Sequence, residues 1–378
     1  MNKKTHLHIG FDAKRAFFNH SGLGNYSRDL IRALSEEAPE NHYYLFKHKD
    51  VEGIKLKKRH NVSTLLPQSD FYQRFGKLWR YKGISQEIKS YPIDIYHGLS
   101  QEMPMGIENS GVKTVVTIHD CIFLRYPELF DIGYRIIFKK KYAHACKVSD
   151  RIIAISEQTK ADIIHYFDVP EEKIDVVYQG CNRAFYDEVD RAIREQIRAK
   201  YKLPEKFILY VGTIEERKNL LSVFEAMVKS DIQYPVVAIG RSTKYTEKVK
   251  QFVKDKEIKD VTFIHTSDFS DFPAIYQMAT MFVYPSIFEG FGIPILEALN
   301  SGTPVITTAG GVFPEVGGDA ALYVEYGNNA EMAQQIKKLL ESQTLREELA
   351  TKGKQQALKF REKEMAANLI SVYQKVML

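Results

Sequence analysis

Two carboxylates, Glu289 and Glu297, flank a glycine-bearing loop in the run Tyr284-Pro285-Ser286-Ile287-Phe288-Glu289-Gly290-Phe291-Gly292-Ile293-Pro294-Ile295-Leu296-Glu297-Ala298-Leu299. An apolar strand is expected to end at Tyr284, and Pro294 suits the first turn of a helix. Gly290 and Gly292 let a ligand come close to the backbone. The unpaired N–H groups of a helix start attract anionic or hydroxyl-rich groups. Glu289 sits in the loop and Glu297 about one turn inside the helix, roughly 4–5 Å further along its axis. Carboxylates staged in this way can grip two hydroxyl-bearing parts of one ligand. The competing view is an ordinary strand–loop–helix with surface glutamates, which the apolar neighbours Ile293, Ile295, Leu296, Ala298 and Leu299 make less comfortable.

A second segment, Leu209-Tyr210-Val211-Gly212-Thr213-Ile214-Glu215-Glu216-Arg217-Lys218-Asn219-Leu220, runs from an apolar strand through a glycine turn to adjacent cations before a helix. The planar fork of Arg217 and the compact charge of Lys218 suit the oxygens of a diphosphate, which they can neutralise without a metal. Alone, such a pair is a common surface feature; beside the 284–299 run it gains weight. No two aspartates are separated by one residue, and no histidine pair has zinc-protease spacing, so neither a metal nor a cofactor is expected.

These residues need elements to hold them. The chain has 378 residues, too long for one core of roughly 100–200 residues. Short β-rich runs alternate with amphipathic helical stretches, the pattern of parallel α/β sheets. In the first series strands are expected at His6–Phe11, His42–Phe46, Ile93–Tyr96, Lys113–Ile118, Arg151–Ile155 and Ile174–Tyr178, with helices over Asn25–Ser35, Tyr134–Cys146 and Glu157–Phe167. Ser156 stands at an N-cap position. The second series has strands at Phe207–Val211, Pro235–Ile239, Val261–Ile264, Met281–Tyr284, Val305–Thr307 and Ala321–Val324. Its helices are expected at Leu220–Val228, Lys244–Asp255, Phe272–Met278 and Pro294–Asn300. The fold class is therefore α/β, with two Rossmann-like doubly wound domains facing a central cleft. The domains are drawn at 1–182 and 183–358, and a crossover helix over 359–378 is expected to pack back toward the first, presenting Ala366, Leu369, Ile370 and Tyr373 on one side. Such sheets bind ligands at the carboxyl ends of their strands.

The net charge of +5 is uneven: 27 Lys/Arg face 22 Asp/Glu over residues 1–180, and 26 face 26 over the rest. Clusters at 55–59 and Lys139-Lys140-Lys141 fit an anionic partner in the first half, a phospholipid surface or a diphosphate-linked acceptor, or an ordinary solvated surface. No nucleic-acid reading module accompanies them. The start, Met1-Asn2-Lys3-Lys4-Thr5-His6-Leu7, has no apolar signal-peptide core, no run of ~20 apolar residues spans a bilayer, and Cys121, Cys146 and Cys181 are scattered. A cytoplasmic protein, with peripheral contact at the inner face of the membrane left open, is the expectation.

The Glu-Gly-Phe-Gly-Ile-Pro frame with its two glutamates resembles the signature of family four of the retaining glycosyltransferases, which have the GT-B fold. Gly212 with Arg217-Lys218-Asn219 is similar to that family's diphosphate-binding motif. Gly302-Thr303-Pro304-Val305-Ile306 and Pro314-Glu315-Val316-Gly317-Gly318-Asp319-Ala320 match its downstream pattern. Gly10-Phe11-Asp12 followed by Ser21-Gly22-Leu23-Gly24-Asn25-Tyr26 resembles its bacterial mannosyltransferase-like branch.

The resemblance implies a first domain for the acceptor and a second for a nucleotide-sugar donor. Arg217 and Lys218 would hold the donor diphosphate and stabilise the charge growing on it. Glu297 would accept from the ribose hydroxyls, and Glu289 would bind the transferred sugar beside main-chain groups of Gly290, Phe291 and Gly292. Gly24 would approach the phosphates, although a plain turn explains Gly22-Leu23-Gly24 equally well. His119, after the strand Val115–Ile118, would donate to sugar hydroxyls near the reacting carbon, a structural histidine being the alternative. Asp120 either polarises the acceptor hydroxyl or orients a loop. Same-face attack, with the leaving phosphate taking the acceptor's proton, is favoured over a covalent role for Glu289. The front-end resemblance favours GDP-mannose, with UDP-sugars as alternatives, and a lipid-diphosphate-linked glycan for capsule or O-antigen assembly as acceptor. A non-catalytic nucleotide-sugar sensor is the rival from another class. A nicotinamide oxidoreductase fits less well, because Gly22-Leu23-Gly24 lacks the third glycine of that fingerprint and follows its strand by some ten residues.

Overall fold

The computed structural model describes residues 6–265 and 267–378; the charged start Met1–Thr5 lies outside them. The chain forms two compact units. Residues up to Gly180 together with Arg361–Leu378 make unit 1, and Cys181–Phe360 make unit 2.

Unit 1 is built on seven parallel strands: β1 (His8–Asp12), β2 (His42–Phe46), β3 (Val62–Leu65), β4 (Ile95–Gly98), β5 (Lys113–Ile118), β6 (Arg151–Ala154) and β7 (Ile174–Val176), in the order β3-β2-β1-β4-β5-β6-β7. The order reverses beside β1, the doubly wound arrangement. Central strands read as near-continuous apolar runs because both faces are covered, and β4 is buried at all four positions. β3 was absent from the sequence reading. It is an edge strand whose residues, Val-Ser-Thr-Leu, are partly or fully exposed, so it carries little apolar pattern.

Three helices of unit 1 matter below: α1 (Gly22–Glu37), α2 (Ile132–Val148) and α3 (Glu157–Phe167). α3 has the expected bounds, and Ser156 Oγ accepts from Thr159 N at 3.0 Å as its N-cap. α1 begins three residues earlier than the polar run suggested. The C-terminal helix, Glu362–Val376, belongs to unit 1. It buries Met365, Ala366, Leu369, Val372, Tyr373 and Val376 in the same core as Leu30, Ile31 and Leu34 of α1, with Ile370 partly buried. The Arg32 guanidinium pairs with the Glu362 carboxylate, and Tyr373 Oη lies 2.7 Å from His97 Nδ1 on β4.

Unit 2 has six parallel strands: β8 (Ile208–Val211), β9 (Val236–Ile239), β10 (Val261–Ile264), β11 (Met281–Tyr284), β12 (Val305–Thr308) and β13 (Ala321–Val324), in the order β10-β9-β8-β11-β12-β13. β8 and β11 are adjacent in space though 70 positions apart in sequence, with Met281 opposite Ile208 and Phe282 opposite Leu209. That pairing brings the two quoted segments together. Two helices follow those strands, α4 (Leu220–Lys229) after β8 and α5 (Ile293–Asn300) after β11. The helices Arg191–Tyr201, Asn329–Glu341 and Gln343–Ala357 complete the cover and were not singled out from sequence. Among the described residues no helix is long and apolar enough to cross a membrane.

Candidate functional site

Strand β8 ends at Val211, the chain turns at Gly212 and runs through a single 3₁₀ turn, Glu216–Lys218, into α4. Asn219 takes the left-handed conformation, φ +51°, which its short polar side chain tolerates. The turn folds Lys218 over Gly212. A Cβ at 212 would lie 3.1 Å from Lys218 Cδ, so glycine leaves room for the lysine stem.

At the end of β11 the loop carries Glu289 to the same place. Arg217 Nη1 lies 2.8 Å from Glu289 Oε1 and Lys218 Nζ 3.2 Å from the same oxygen. The Tyr284 hydroxyl donates to that oxygen at 2.8 Å while accepting from Lys218 at 2.7 Å, and Ser286 Oγ donates to it at 3.0 Å. Arg217 also donates to the Phe288 carbonyl at 2.5 Å and to Glu215 at 2.8 Å. The backbone is tied too, because Ile287 N donates to the Arg217 carbonyl at 2.9 Å. Burial alone would raise the Glu289 pKa, but the Lys218 and Arg217 charges and the donated hydrogen bonds outweigh it and bring it down to about 2. Burial, then the Glu289 carboxylate, raise the Tyr284 hydroxyl well above the ordinary phenol range, so it stays a donor.

Glu297 is the fifth residue of α5 and is 7% exposed; the Tyr276 hydroxyl donates to its Oε2 at 3.0 Å. Gly290 is half-buried in the loop, and Gly292 closes the loop at φ +101°. Phe291 is buried with its ring against Phe360, centroids 5.6 Å apart, so its side chain is packed and only its main chain is offered to a ligand.

In unit 1, His119 follows β5 and is buried. Its Nε2 lies 2.9 Å from the Leu99 carbonyl oxygen. Only an N–H can face that acceptor, so the ring proton is on Nε2 and Nδ1 carries the lone pair. Burial lowers the pKa to about 4, against the Leu99 bond, leaving the ring neutral at pH 7. The expected donation to a hydroxyl is thereby reversed: Nδ1 can accept a hydroxyl proton. The Tyr26 ring of α1 meets the imidazole edge-on at 4.6 Å. Asp120 Oδ1 accepts from Ile122 N at 3.1 Å, which orients the loop after β5. Gly24 lies in the first turn of α1, where a Cβ would sit 1.9 Å from the Asn19 carbonyl oxygen. Steric room for the backbone therefore accounts for this glycine.

Gly212, Arg217, Lys218 and Glu289 are thus assembled in one cluster of unit 2, with Gly290, Phe291, Gly292 and Glu297 on the same loop and helix. His119, Asp120 and Gly24 stand in unit 1. Tyr284, Ser286, Tyr276 and Tyr26, which touch the candidate residues, were not singled out from the sequence. Tyr284 and Ser286 lie inside the quoted run, and their proximity to Glu289 was the available signal.

Two family models match the chain: Glycosyltransferase Family 4 over residues 20–185 and Glycosyl transferases group 1 over residues 193–356. The O-antigen chain mannosyltransferase B of Escherichia coli is 26% identical over 93% of this chain and 96% of its own. The O-antigen chain mannosyltransferase RfbU of Salmonella typhimurium is 34% identical over 59% of this chain and 60% of its own. Among solved structures, HepE of Anabaena in complex with UDP and glucose has a TM-score of 0.75 at 16% identity, covering 98% of this chain and 100% of its own. With two parallel doubly wound sheets and both family models on consecutive halves, the chain belongs to the family four, group 1 glycosyltransferases of GT-B fold.

Proposed function

We propose that this glycosyltransferase moves mannose from GDP-mannose to a glycan acceptor in cell-surface polysaccharide assembly, with retention of configuration and without a metal ion. The observation that carries the reading is the convergence of Arg217 and Lys218 on one oxygen, Glu289 Oε1, at 2.8 and 3.2 Å. Two positive charges focused on one anionic oxygen suit a diphosphate leaving group that gains charge as its bond to the sugar breaks. The names of the two mannosyltransferase relatives support the sugar.

In this reading the acceptor hydroxyl attacks the anomeric carbon on the face from which the diphosphate leaves. The carbon–phosphate oxygen bond breaks, the new glycosidic bond forms, and the hydroxyl proton passes to the departing phosphate. A carboxylate with a pKa of about 2 is a weak base and a weak nucleophile, which supports this route over a covalent one through Glu289. Glu289 then serves to hold the cations and the sugar hydroxyls. Glu297 receives the ribose hydroxyls and His119 Nδ1 receives a hydroxyl of the transferred sugar.

Peripheral contact with an anionic membrane from the cytoplasmic side belongs to the same reading. It is supported by α2, which exposes Ile132, Ile136 and Ile137 beside Lys139.

A thermal-shift panel of GDP, UDP, ADP and their sugars tests the donor. GDP and GDP-mannose should raise the midpoint by an amount that grows with the logarithm of ligand concentration above Kd. A response to UDP compounds alone would replace the base, and tight binding with neither transfer nor slow donor hydrolysis would make the chain a sensor.

A further inference from the structure

Unit 1 contains a cavity of about 610 Å³, within the size range of small-molecule sites, that the donor motifs do not touch, although Asp12, Lys140 and Lys141 of segments quoted from the sequence line it. It opens at the carboxyl edge of the sheet. Asp12 ends β1, His48 follows β2, and Glu102 follows β4. This is the edge at which doubly wound sheets take ligands.

At its centre the Arg80 guanidinium is shared between two carboxylates. Arg80 Nε donates to Asp12 Oδ2 at 2.7 Å, a second nitrogen pairs with Glu102, and Lys141 Nζ reaches the other oxygen of Glu102 at 2.6 Å. That network uses up the charge of both carboxylates. Three further cations line the cavity, Lys14, Lys77 and Lys140, and none of them makes an ion pair among the described residues. The wall holds five cationic side chains against two carboxylates, so its field favours an anion. Burial, then Arg80, lower the pKa of Lys14, and the nearby Glu102 and Asp12 carboxylates, already shared with Arg80 and Lys141, offset this only in part.

A second, independent observation points to a polar ligand. Tyr96 Oη, His48 Nδ1 and His144 Nε2 are buried atoms with no hydrogen-bond partner, and all three residues line this cavity. Tyr96 and His48 are 0% and 5% exposed. A buried polar group left unpaired disfavours the fold, and these three atoms, closed to solvent, belong to residues gathered around one space, so a ligand seated there can satisfy them once the side chains turn toward it. Met103 and Met105 add an apolar wall, and Tyr81 stands at the rim.

We infer that this cavity is the seat of the acceptor's phosphate-bearing end: a sugar phosphate or sugar diphosphate whose anionic oxygens meet Lys14 and Lys140 and whose hydroxyls meet Tyr96, His48 and His144. The inference rests on the transferase reading above and adds to it that the acceptor is an anion recognised by residues outside the donor motifs.

The test is a calorimetric titration of inorganic pyrophosphate into the intact chain already saturated with the nucleoside diphosphate that binds best. One pyrophosphate site should remain. The combined substitution Lys14→Ala and Lys140→Ala should weaken it at least tenfold. Tyr96→Phe should weaken mannose 1-phosphate binding several-fold while the melting midpoint stays level or rises, since the hydroxyl has no partner to lose within the chain. A purely structural tyrosine would do the opposite. Geranylgeranyl diphosphate in micelles separates the two sources. Tighter binding than pyrophosphate supports a lipid-linked acceptor, and equal binding supports a soluble sugar phosphate. No residual pyrophosphate site, or a folded Lys14→Ala, Lys140→Ala chain that binds within twofold of the unmodified one, overturns the inference. If no nucleoside diphosphate binds at all, the donor reading fails instead, and the cavity is judged by comparing the same two chains without nucleotide.

Discussion

Glu289 Oε1 receives Arg217, Lys218, Tyr284 and Ser286 together, and the consequences differ for each partner. Lys218→Ala and Arg217→Ala each remove a charge that grows in value as the leaving group forms, so turnover should drop by about 10²–10³ for either, with the fold kept. Tyr284→Phe removes only a neutral bridge between Lys218 and Glu289. It should cost about tenfold, with most of the loss in kcat. Steady-state kinetics on the three variants check the ranking, and a Tyr284→Phe loss as large as that of Lys218→Ala would show that the hydroxyl does more than position. The charged members were legible in the sequence because glycine turns and adjacent cations mark them locally. Tyr284 was not, although it was in view. Its role depends on Lys218, 66 positions away, arriving through the pairing of β8 with β11. The proton position on His119 was likewise unreadable, since it is fixed by a carbonyl 20 positions upstream.

Elements were legible where both faces or one apolar stripe are buried. Lys244–Asp255 and Phe272–Met278 agree residue for residue, and β8, β11 and β12 differ by at most one residue at an end. The reading failed where burial is weak, as at β3, and where a helix begins without a polar cap bond, as at α1, whose Ser21 side chain makes none. The first turn of α1 supplies a prediction at this scale. Gly24→Ala places a Cβ 1.9 Å from the Asn19 carbonyl oxygen, forcing the backbone to shift. A loss of about 1–3 kcal/mol is expected. The Tyr26 ring rides on the same turn, so its contact with His119 should loosen as well. Urea denaturation reads the first effect, and an unchanged midpoint would mean that the loop before α1 yields freely.

For the molecule as a whole, acid should act on unit 1. Burial lowers the pKa of His97 to about 3 and of His48 and His119 to about 4, and all three are in unit 1. The unfolded chain takes up these protons near pH 6.5, whereas the folded unit refuses them until about 4 or below. Stability from this source is therefore full above about pH 6.5 and falls as pH drops toward 4. The sole tryptophan, Trp79, is buried in unit 1, so its fluorescence follows this unit. The urea midpoint seen by that signal should decline steadily from pH 7 to pH 5, and a flat profile would count against neutral buried histidines.

The return of Glu362–Val376 to unit 1 makes unit 2 an insertion within it, so the order of synthesis and the order of completion differ. Residues 181–360 are all available to one another before the final stretch leaves the ribosome. Until then the apolar side of α1 is uncovered, and His97 lacks the Tyr373 hydroxyl. The earlier-made unit thus waits for residues 361–378, and a released chain truncated after Phe360 should yield a protease-resistant fragment from unit 2 alone.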